Sequence, residues 1–451
     1  MSRKDDLATY KGFYDGDLDV IYSHFASRRI SQDAKDADNA LSKTRFTFTG
    51  HIRILIDKLV NYLPVEFDVE ASLKGSEDPN EAWGKEITNW LESSSFDGKK
   101  TFWEVLPGVY KTGYKFGTVY LKCFIKDEEI HFKKMYSEDV TIVVNPNNVF
   151  EVQKIVFDWT TEIEDEERAV NTVDMREVIT DKEYQILQDG IVIETTPHKF
   201  DRIPVVILKH EEIDGSQYGE SMIAKLLESQ QNINYTESLR QWGNKMNSYQ
   251  VLCVDPIAYK DVTVGSEIKI SPGMMFKYPI KAVGGNIDLT SMENEIDFFE
   301  KEIHEMACVP RKKSLDSLVS GTVTATEINA LLKDMNEAGK RYISQCKKAF
   351  EEMCELYWFM LHGQEIDVTI NYPSMDAEDM EWRKWQAEFL TKLGFYDEAM
   401  IKGLGYEETA LKALKEQKQK TDAEDQANYE LEFEKNRKKD ELDTEPDQPD
   451  Q

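Results

Sequence analysis

The stretch from Met292 to Leu361 reads MENEIDFFEKEIHEMACVPRKKSLDSLVSGTVTATEINALLKDMNEAGKRYISQCKKAFEEMCELYWFML. Its first part has the period of an acidic amphipathic helix, and Val309-Pro310 stops it, because proline brings no amide donor. A short basic, hydroxyl-rich loop follows, RKKSLDSLVSGTVT. In Thr324-Ala325-Thr326-Glu327 the Thr hydroxyl faces an N3 amide and Glu327 reaches back, which is the pattern of a capping box. Ile328, Leu331, Leu332, Met335, Ala338, Tyr342, Cys346, Phe350, Met353, Tyr357 and Met360 then recur at steps of three and four. This predicts a helix far longer than the ordinary mean of about eleven residues, with Gly339 inside it as the place for a bend. Two helices hinged by a charged loop suggest a moving or channel-lining part, not a compact catalytic core.

Working back toward the N-terminus, YQVLCVD, VTVGSEIKIS and MMFKYPI read as a small β-rich module with PG and GG turns. Before it, MIAKLLESQQNINYTESLRQWGNKM is helical, with Ser221 as its cap. Its apolar stripe of Met222, Leu226, Ile233, Leu239, Trp242 and Met246 is interleaved with Gln230, Gln231, Asn232 and Asn234. A helix this polar is expected to pack against copies of itself or a neighbour while facing water.

The first half alternates helices and strands. IRILIDKLVNYL puts Ile52, Leu55, Ile56, Leu59 and Leu63 on one helical face, and Pro64 ends it. VEFDVEA alternates as a strand does, NEAWGKEITNWLES is a helix, and TFWEVLPGVYKTGYKFG is a helix with a kink at Pro107. GTVYLKCFI, EIHFKKMY, VTIVVN, EVQKIVFDW, EYQILQDG and IVIETT are strands. The acidic run TTEIEDEERAVNTVDM, including Glu164, Asp165, Glu166 and Glu167, reads as a solvated hairpin tip. Beyond Gly363, EIDVTINYP is a strand, residues 376–417 are helical, and the charged segment from Lys418 is disordered. The fold class is α+β.

With 451 residues and 40% hydrophobic content the chain builds two or three packed domains. The formal net charge of −30 repels phosphate, which excludes ordinary duplex binding through a broad basic patch. Cys123, Cys253, Cys308, Cys346 and Cys354 are odd in number with no CxxC pair, so reduced thiols and a cytoplasmic origin are expected. No signal peptide and no membrane span is read.

No GxxxxGK[ST], GxGxxG or GxSxG occurs. His304-Glu305 starts like HExxH, but Cys308 stands in place of the second His, and a structural face is the better reading. Cys346 and Cys354 share a helix face as core thiols. No catalytic residue, metal site or cofactor is assigned. Arg311-Lys312-Lys313 stands out in so acidic a chain. It reads either as a contact with passing phosphates or as a solvated loop whose charges pair with Glu residues of a neighbouring subunit.

The order and spacing of these pieces resemble the portal proteins of tailed bacteriophages. The resemblance covers about residues 50–415 and is carried by HIRILIDKLVNYL followed by a strand, by the passage from RIPVVIL to DGSQYGESMIAKLLESQQNINYTESL, by the β-rich insertion, and by TATEINALLKDMN opening the long helix. The family's Gly-x-Pro after the first long helix is replaced by Leu63-Pro64-Val65.

The resemblance implies a portal fold. Its parts would be an α/β wing at 1–215 with a strand at 363–373, stem helices at 216–247 and 291–308, and a small β-rich clip at 248–290. A tunnel loop at 309–323, a long tunnel helix at 324–362, a helical crown at 374–417 and an acidic tail at 418–451 would complete it. It further implies a ring, usually a dodecamer, at one capsid vertex of the virion, assembled in the host cytoplasm and without enzymatic activity. The implied partners are the terminase large subunit, the major capsid and scaffolding proteins, head-completion or adaptor proteins, and double-stranded DNA passing through the channel, with no membrane. Glu293, Glu295, Glu300 and Glu302 would make an acidic, non-adhering channel lining, while Arg311, Lys312, Lys313 and Ser314 would touch DNA briefly. Two readings compete. One is a non-channel oligomeric scaffold or adaptor of a virion. The other is a carboxylate-based nuclease, which needs a compact carboxylate cluster that the sequence does not single out.

Overall fold

The apolar stripe of HIRILIDKLVNYL does what its spacing predicts. His51–Tyr62 is helical, and Ile52, Leu55, Ile56 and Leu59 are buried, with Leu63 behind them. Leu63 leaves the helix in an extended conformation (φ −74°, ψ 144°), as a residue before proline must. In the computed structural model the described residues are 3–29, 46–76, 78–93, 96, 99–126, 129–164, 170–198, 200, 202–248, 251–253, 281–283, 289–311 and 325–373. The chain divides into two units, residues 1–320 with 331–375, and residues 321–330 with 376–451. Of the second, only 325–330 are described. Thr324, the cap of the expected capping box, nearly all of the 254–288 insertion, the segment 374–417 expected to be helical and the charged tail therefore lie outside the described residues.

The helices of the first half are α1 (Arg3–Asp15), α2 (Leu18–Arg29), α3 (His51–Tyr62), α4 (Glu81–Glu92) and α5 (Phe102–Phe116). Asn80 caps α4 by accepting from the amides of Ala82 and Trp83. α5 opens with a complete capping box of Thr101 and Glu104, carries Pro107 inside it, and closes on Gly117 in the left-handed region (φ 76°).

Among the described residues, strand chemistry gives four antiparallel sheets. β1 (Asp68–Leu73) pairs with β12 (Ile366–Asn371), so the strand after the long helix returns to the N-terminal half. β2 (Thr118–Lys126) lies between β3 (Glu129–Met135) and β9 (Val205–Lys209), and its inward residues face α5. β4 (Val140–Asn145), β5 (Asn148–Glu164), β6 (Val170–Ile179), β7 (Glu183–Gln188) and β8 (Ile191–Pro197) form a meander. β5 is longer than the alternation of EVQKIVFDW implies. It runs on through Thr160–Glu164, pairing with β6 as far as Glu164↔Val170, so part of the acidic run is strand. β10 (Val251–Cys253) and β11 (Lys281–Val283) pair at the base of the insertion.

Three further helices complete the described chain: α6 (Met222–Ser248), α7 (Leu289–Met306) and α8 (Ala325–His362). The periodicity of α8 is buried as read, with Met335, Tyr342, Cys346, Phe350, Met353 and Tyr357 in the main core. Cys346 and Cys354 are buried free thiols. Aromatic rings knit α8 to the first half: Trp90 stacks on Tyr357 (centroids 4.0 Å apart), and Phe67 and Phe102 flank Phe350. The Tyr342 hydroxyl donates to the Tyr110 carbonyl (3.3 Å). Burial pushes the hydroxyls of Tyr110, Tyr114 and Tyr342 far above the usual tyrosine range, so all three stay neutral. A second, smaller core of Tyr120, Val140, Ile142, Ile155, Phe157, Ile179 and Val205 holds the meander onto β2 and β9.

Candidate functional site: the α6–α7 pair and the root of its loop

α6 starts where Ser221 fastens it. The Ser221 hydroxyl accepts from the Ile223 amide (3.0 Å), as an N-cap does, and donates to the Lys115 carbonyl at the end of α5 (2.5 Å). The Gly219 amide donates to Thr118 Oγ1 (2.9 Å), and the backbones of Gly117 and Gly219 meet so closely that a Cβ on Gly117 would lie 2.2 Å from the Gly219 oxygen.

Many polar side chains of α6 face inward, while Glu228, Gln241 and Asn244 stay exposed. Ser229, Gln230, Gln231, Asn234, Thr236 and Ser238 are all buried. Gln230 Oε1 accepts from the Ile52 amide (3.2 Å) and its amide group donates to the Thr49 carbonyl (2.5 Å) and to Asn234 Oδ1 (2.9 Å). Asn234 Oδ1 also accepts from the Thr49 amide (3.1 Å), and Ser238 Oγ accepts from the Thr47 amide (2.9 Å). Gln231 pairs with His24 of α2. α6 does pack against a neighbouring helix as expected, but the amides of Gln230 and Asn234 serve the same chain and not water. Segment 46–50 has no secondary structure of its own, and these side chains supply the partners its backbone lacks.

α7 packs on α6 through Ile303 and Ala307, with Ile296 and Phe299 half-buried beside them. Ser229 donates to Glu302 Oε2 across the pair (2.9 Å). Arg240 grips Glu237 with two bonds (2.9 and 2.7 Å) and lies 3.7 Å from Glu293 of α7. Burial pulls the Glu237 carboxyl up, but the bonds from Arg240 and Gln241 outweigh it and leave it below the usual carboxylate range.

The end of α7 is built by His304 and Cys308. The Val309 amide donates to the His304 carbonyl (3.0 Å), the His304 ring Nδ1 pairs with the Val309 carbonyl (2.9 Å), and Cys308 takes the left-handed conformation (φ 56°). Burial holds the His304 imidazole below its usual pKa, so the ring is neutral in this cap. The broken HExxH pattern is thus a helix terminus. Among the described residues, no three His, Cys, Asp or Glu side chains come together as metal ligands do.

Arg311 then turns back onto α7. Its Nη2 lies 2.6 Å from Asp297 Oδ1 and 3.3 Å from Glu300 Oε2, and its Nη1 is 3.4 Å from Asp297 Oδ2. The Asp297 bond raises the already high guanidinium pKa. Glu300 also lies 3.9 Å from His51 Nε2, whose pKa burial lowers.

The sequence-assigned residues therefore separate. Glu293 and Glu300, and Glu295 and Glu302, form two seven-residue pairs. At 3.6 residues per turn the two lines lie about 200° apart, on opposite flanks of the apolar stripe. Glu293 and Glu295 are exposed, whereas Glu300 and Glu302 are half-buried and bonded within the chain. Between the flanks the outward face carries Asn294, Phe298 (60% exposed), Lys301 and Glu305. Lys312, Lys313 and Ser314 lie outside the described residues.

Sequence reasoning missed two things here. One is Asp297, the main partner of Arg311, whose spacing fourteen residues upstream gives no local signal. The other is a basic stripe on α8 formed by Lys333, Lys340, Arg341, Lys347 and Lys348, which the seven- and eight-residue spacing does signal.

A family model described as phage portal protein, SPP1 Gp6-like, matches residues 2–424 of the chain. No curated protein matches it.

Proposed function

The chain belongs to the SPP1 Gp6-like phage portal protein family, and from that premise we propose that it is the subunit of a ring-shaped channel at the capsid vertex, through which double-stranded DNA is packaged and ejected. The family is one of structural virion proteins, not enzymes. The observation that carries the reading is the extent of the match, which takes in almost the whole chain, including α6, α7, α8 and the segments between them.

In this reading residues 1–215 with the 363–373 strand are the wing, α6 and α7 the stem, and 248–290 the clip where the terminase large subunit docks. Residues 309–323 are the tunnel loop and α8 the tunnel helix. Residues 374–417 are the crown, and 418–451 an acidic tail. Head-completion proteins follow the motor at the same end. The ring is a dodecamer. Copies meet through unlike faces, because heterologous contacts repeated about an axis close a ring.

Glu293 and Glu295 are the lining carboxylates that keep DNA from adhering. Arg311 holds the loop, and Lys312, Lys313 and Ser314 make the transient phosphate contacts.

Negative-stain imaging of the purified full-length protein tests this. Rings with a central hole and near twelve-fold symmetry are expected. Monomers or two-fold dimers across a range of concentrations and salts would refute the channel and leave a non-ring scaffold. Within rings, reversing Glu293 and Glu295 should slow DNA passage in a packaging assay, and unchanged packaging and ejection would remove the repulsive lining.

A further inference from the structure

The outer side of α8 carries charge of the wrong sign for this chain. Lys333, Lys340, Arg341 and Lys348 are exposed and Lys347 is half-buried. Residues 333, 340 and 347 are seven apart, and 341 and 348 repeat that step one residue on. At 3.6 residues per turn all five fall within one stripe, about 22 Å long at 1.5 Å per residue. Ser344 lies in the same stripe and is exposed, while Tyr342, Ile343 and Cys346 on the other side are core.

Three of these cations have no ion-pair partner among the described residues. Lys347 reaches Glu351 (3.7 Å), whose carboxylate already accepts from the Ile370 amide (3.0 Å). Lys333, Arg341 and Lys348 make no ion pair among the described residues, although Arg341 helps to lower Glu211 from a distance. Beside the stripe, Lys340, Ser344, Lys347, Ile370, Asn371 and Tyr372 line an open groove between α8 and the end of β12.

Resting on the ring reading above, we propose that this stripe is an intersubunit surface that receives a carboxylate-bearing face of a second copy of the chain. Two observations select that occupant. First, each copy carries a net charge of −30, so ring closure brings together bodies that repel one another. A basic face set against the acidic remainder of a neighbour offsets that repulsion, and it does so only between unlike faces, which is the geometry a ring needs. Second, the stripe is chequered. Exposed Asp334 and Glu337 stand among the cations, and Lys347 is shared with Glu351. A phosphate backbone would meet those carboxylates with repulsion, whereas a protein face meets a chequered pattern with complementary charges and gains register from it.

The test uses full-length protein and two surface variants, K333E/K348E and the neutral control K333Q/K348Q. Both residues are exposed, so melting curves matching the wild type are expected. Ring fraction is measured by sedimentation velocity against protein concentration, at low and high NaCl. The expected result is a half-assembly concentration raised about tenfold or more by the Glu pair and less by the Gln pair, with the gap to the wild type narrowing as salt screens the contact. Rings forming at the wild-type concentration in both variants overturn the proposal. So does a variant that assembles normally but loses binding to a short DNA duplex, which makes nucleic acid the occupant. A wild type that forms no rings at any concentration refutes the ring reading itself and this inference with it.

Discussion

Arg311 is the residue on which the loop-root geometry is most directly testable, and Asp297→Asn is the cleaner perturbation because it leaves the arginine in place. The guanidinium side chain is 18% exposed and the Asp297 carboxylate 49% exposed, with a shortest contact of 2.6 Å. A charge-assisted hydrogen bond contributes about 1.5–3 kcal/mol when well buried, and an exposed ion pair about 0.2–1 kcal/mol. A half-exposed carboxylate falls between them, so the loss for D297N is about 1 kcal/mol, or about a fivefold change in a local opening equilibrium. R311A should cost slightly more, because it leaves Asp297 and Glu300 adjacent without the guanidinium between them. The amides of Ala307, Cys308 and Val309 report the opening, since they are bonded to Ile303, Glu305 and His304 at 3.0–3.1 Å. Hydrogen exchange on the full-length protein should therefore speed up by about fivefold at these amides in D297N. The gap between variant and wild type should shrink at high salt. Unchanged exchange in both variants would refute the clamp. A packaging defect in R311A that D297N lacks would return Arg311 to direct phosphate contact.

Three further outcomes are expected. Gly117→Ala combines left-handed backbone strain of about 1–2 kcal/mol with a Cβ placed 2.2 Å from the Gly219 oxygen, and should cost at least about 3 kcal/mol in urea unfolding; a loss under about 1 kcal/mol would show that the α5–α6 junction relaxes freely. Gln230→Leu strands the buried Ile52 amide and the Thr49 carbonyl and should cost about 2–4 kcal/mol, whereas a near-neutral result would show that water replaces the side chain. Burial pushes His210 down to about 4, with the bond to the Glu220 carbonyl opposing it, so the folded ring is neutral where the unfolded one would titrate near its ordinary value. Its contribution is present above about pH 6.5 and is lost as pH falls toward about 4, so His210→Gln should flatten that part of an acid-unfolding profile.

Much of the fold was legible because it rests on periodicity. The stripes of α3 and α8, the cap at Ser221 and the strands of the meander other than β6 follow from local spacing and turn chemistry, whereas β6 falls largely in the acidic run that reads as a hairpin tip. What was not legible depends on distant partners. Nothing near Gln230 or Asn234 announces that Thr49 lies 181 or 185 residues away, so a helix rich in amides looked like a surface. The same blindness hid Asp297 from Arg311, and made four glutamates of α7 look equivalent when two are exposed and two are bonded inward. The α8 stripe is a different failure. Its spacing is present in GKRYISQCKK, but the stronger apolar period of the same helix masks it.

The buried amides of α6 bear on how copies meet. Had they faced outward, their hydrogen bonds would have been completed only by a neighbour, and folding would have been coupled to assembly, with its ordering cost drawn from the contact energy. Instead Ser229, Gln230, Gln231 and Ser238, and the Oδ1 of Asn234, find their partners in Glu302, Thr49, His24 and Thr47 of the same chain. A subunit built this way carries its α6–α7 pair already fastened to α2 and α3. Association then becomes the docking of finished bodies, and what governs it is surface charge. In a chain of net charge −30 that places the decision on the few basic faces, the α8 stripe foremost, and makes ionic strength the variable to which assembly should respond before temperature or denaturant.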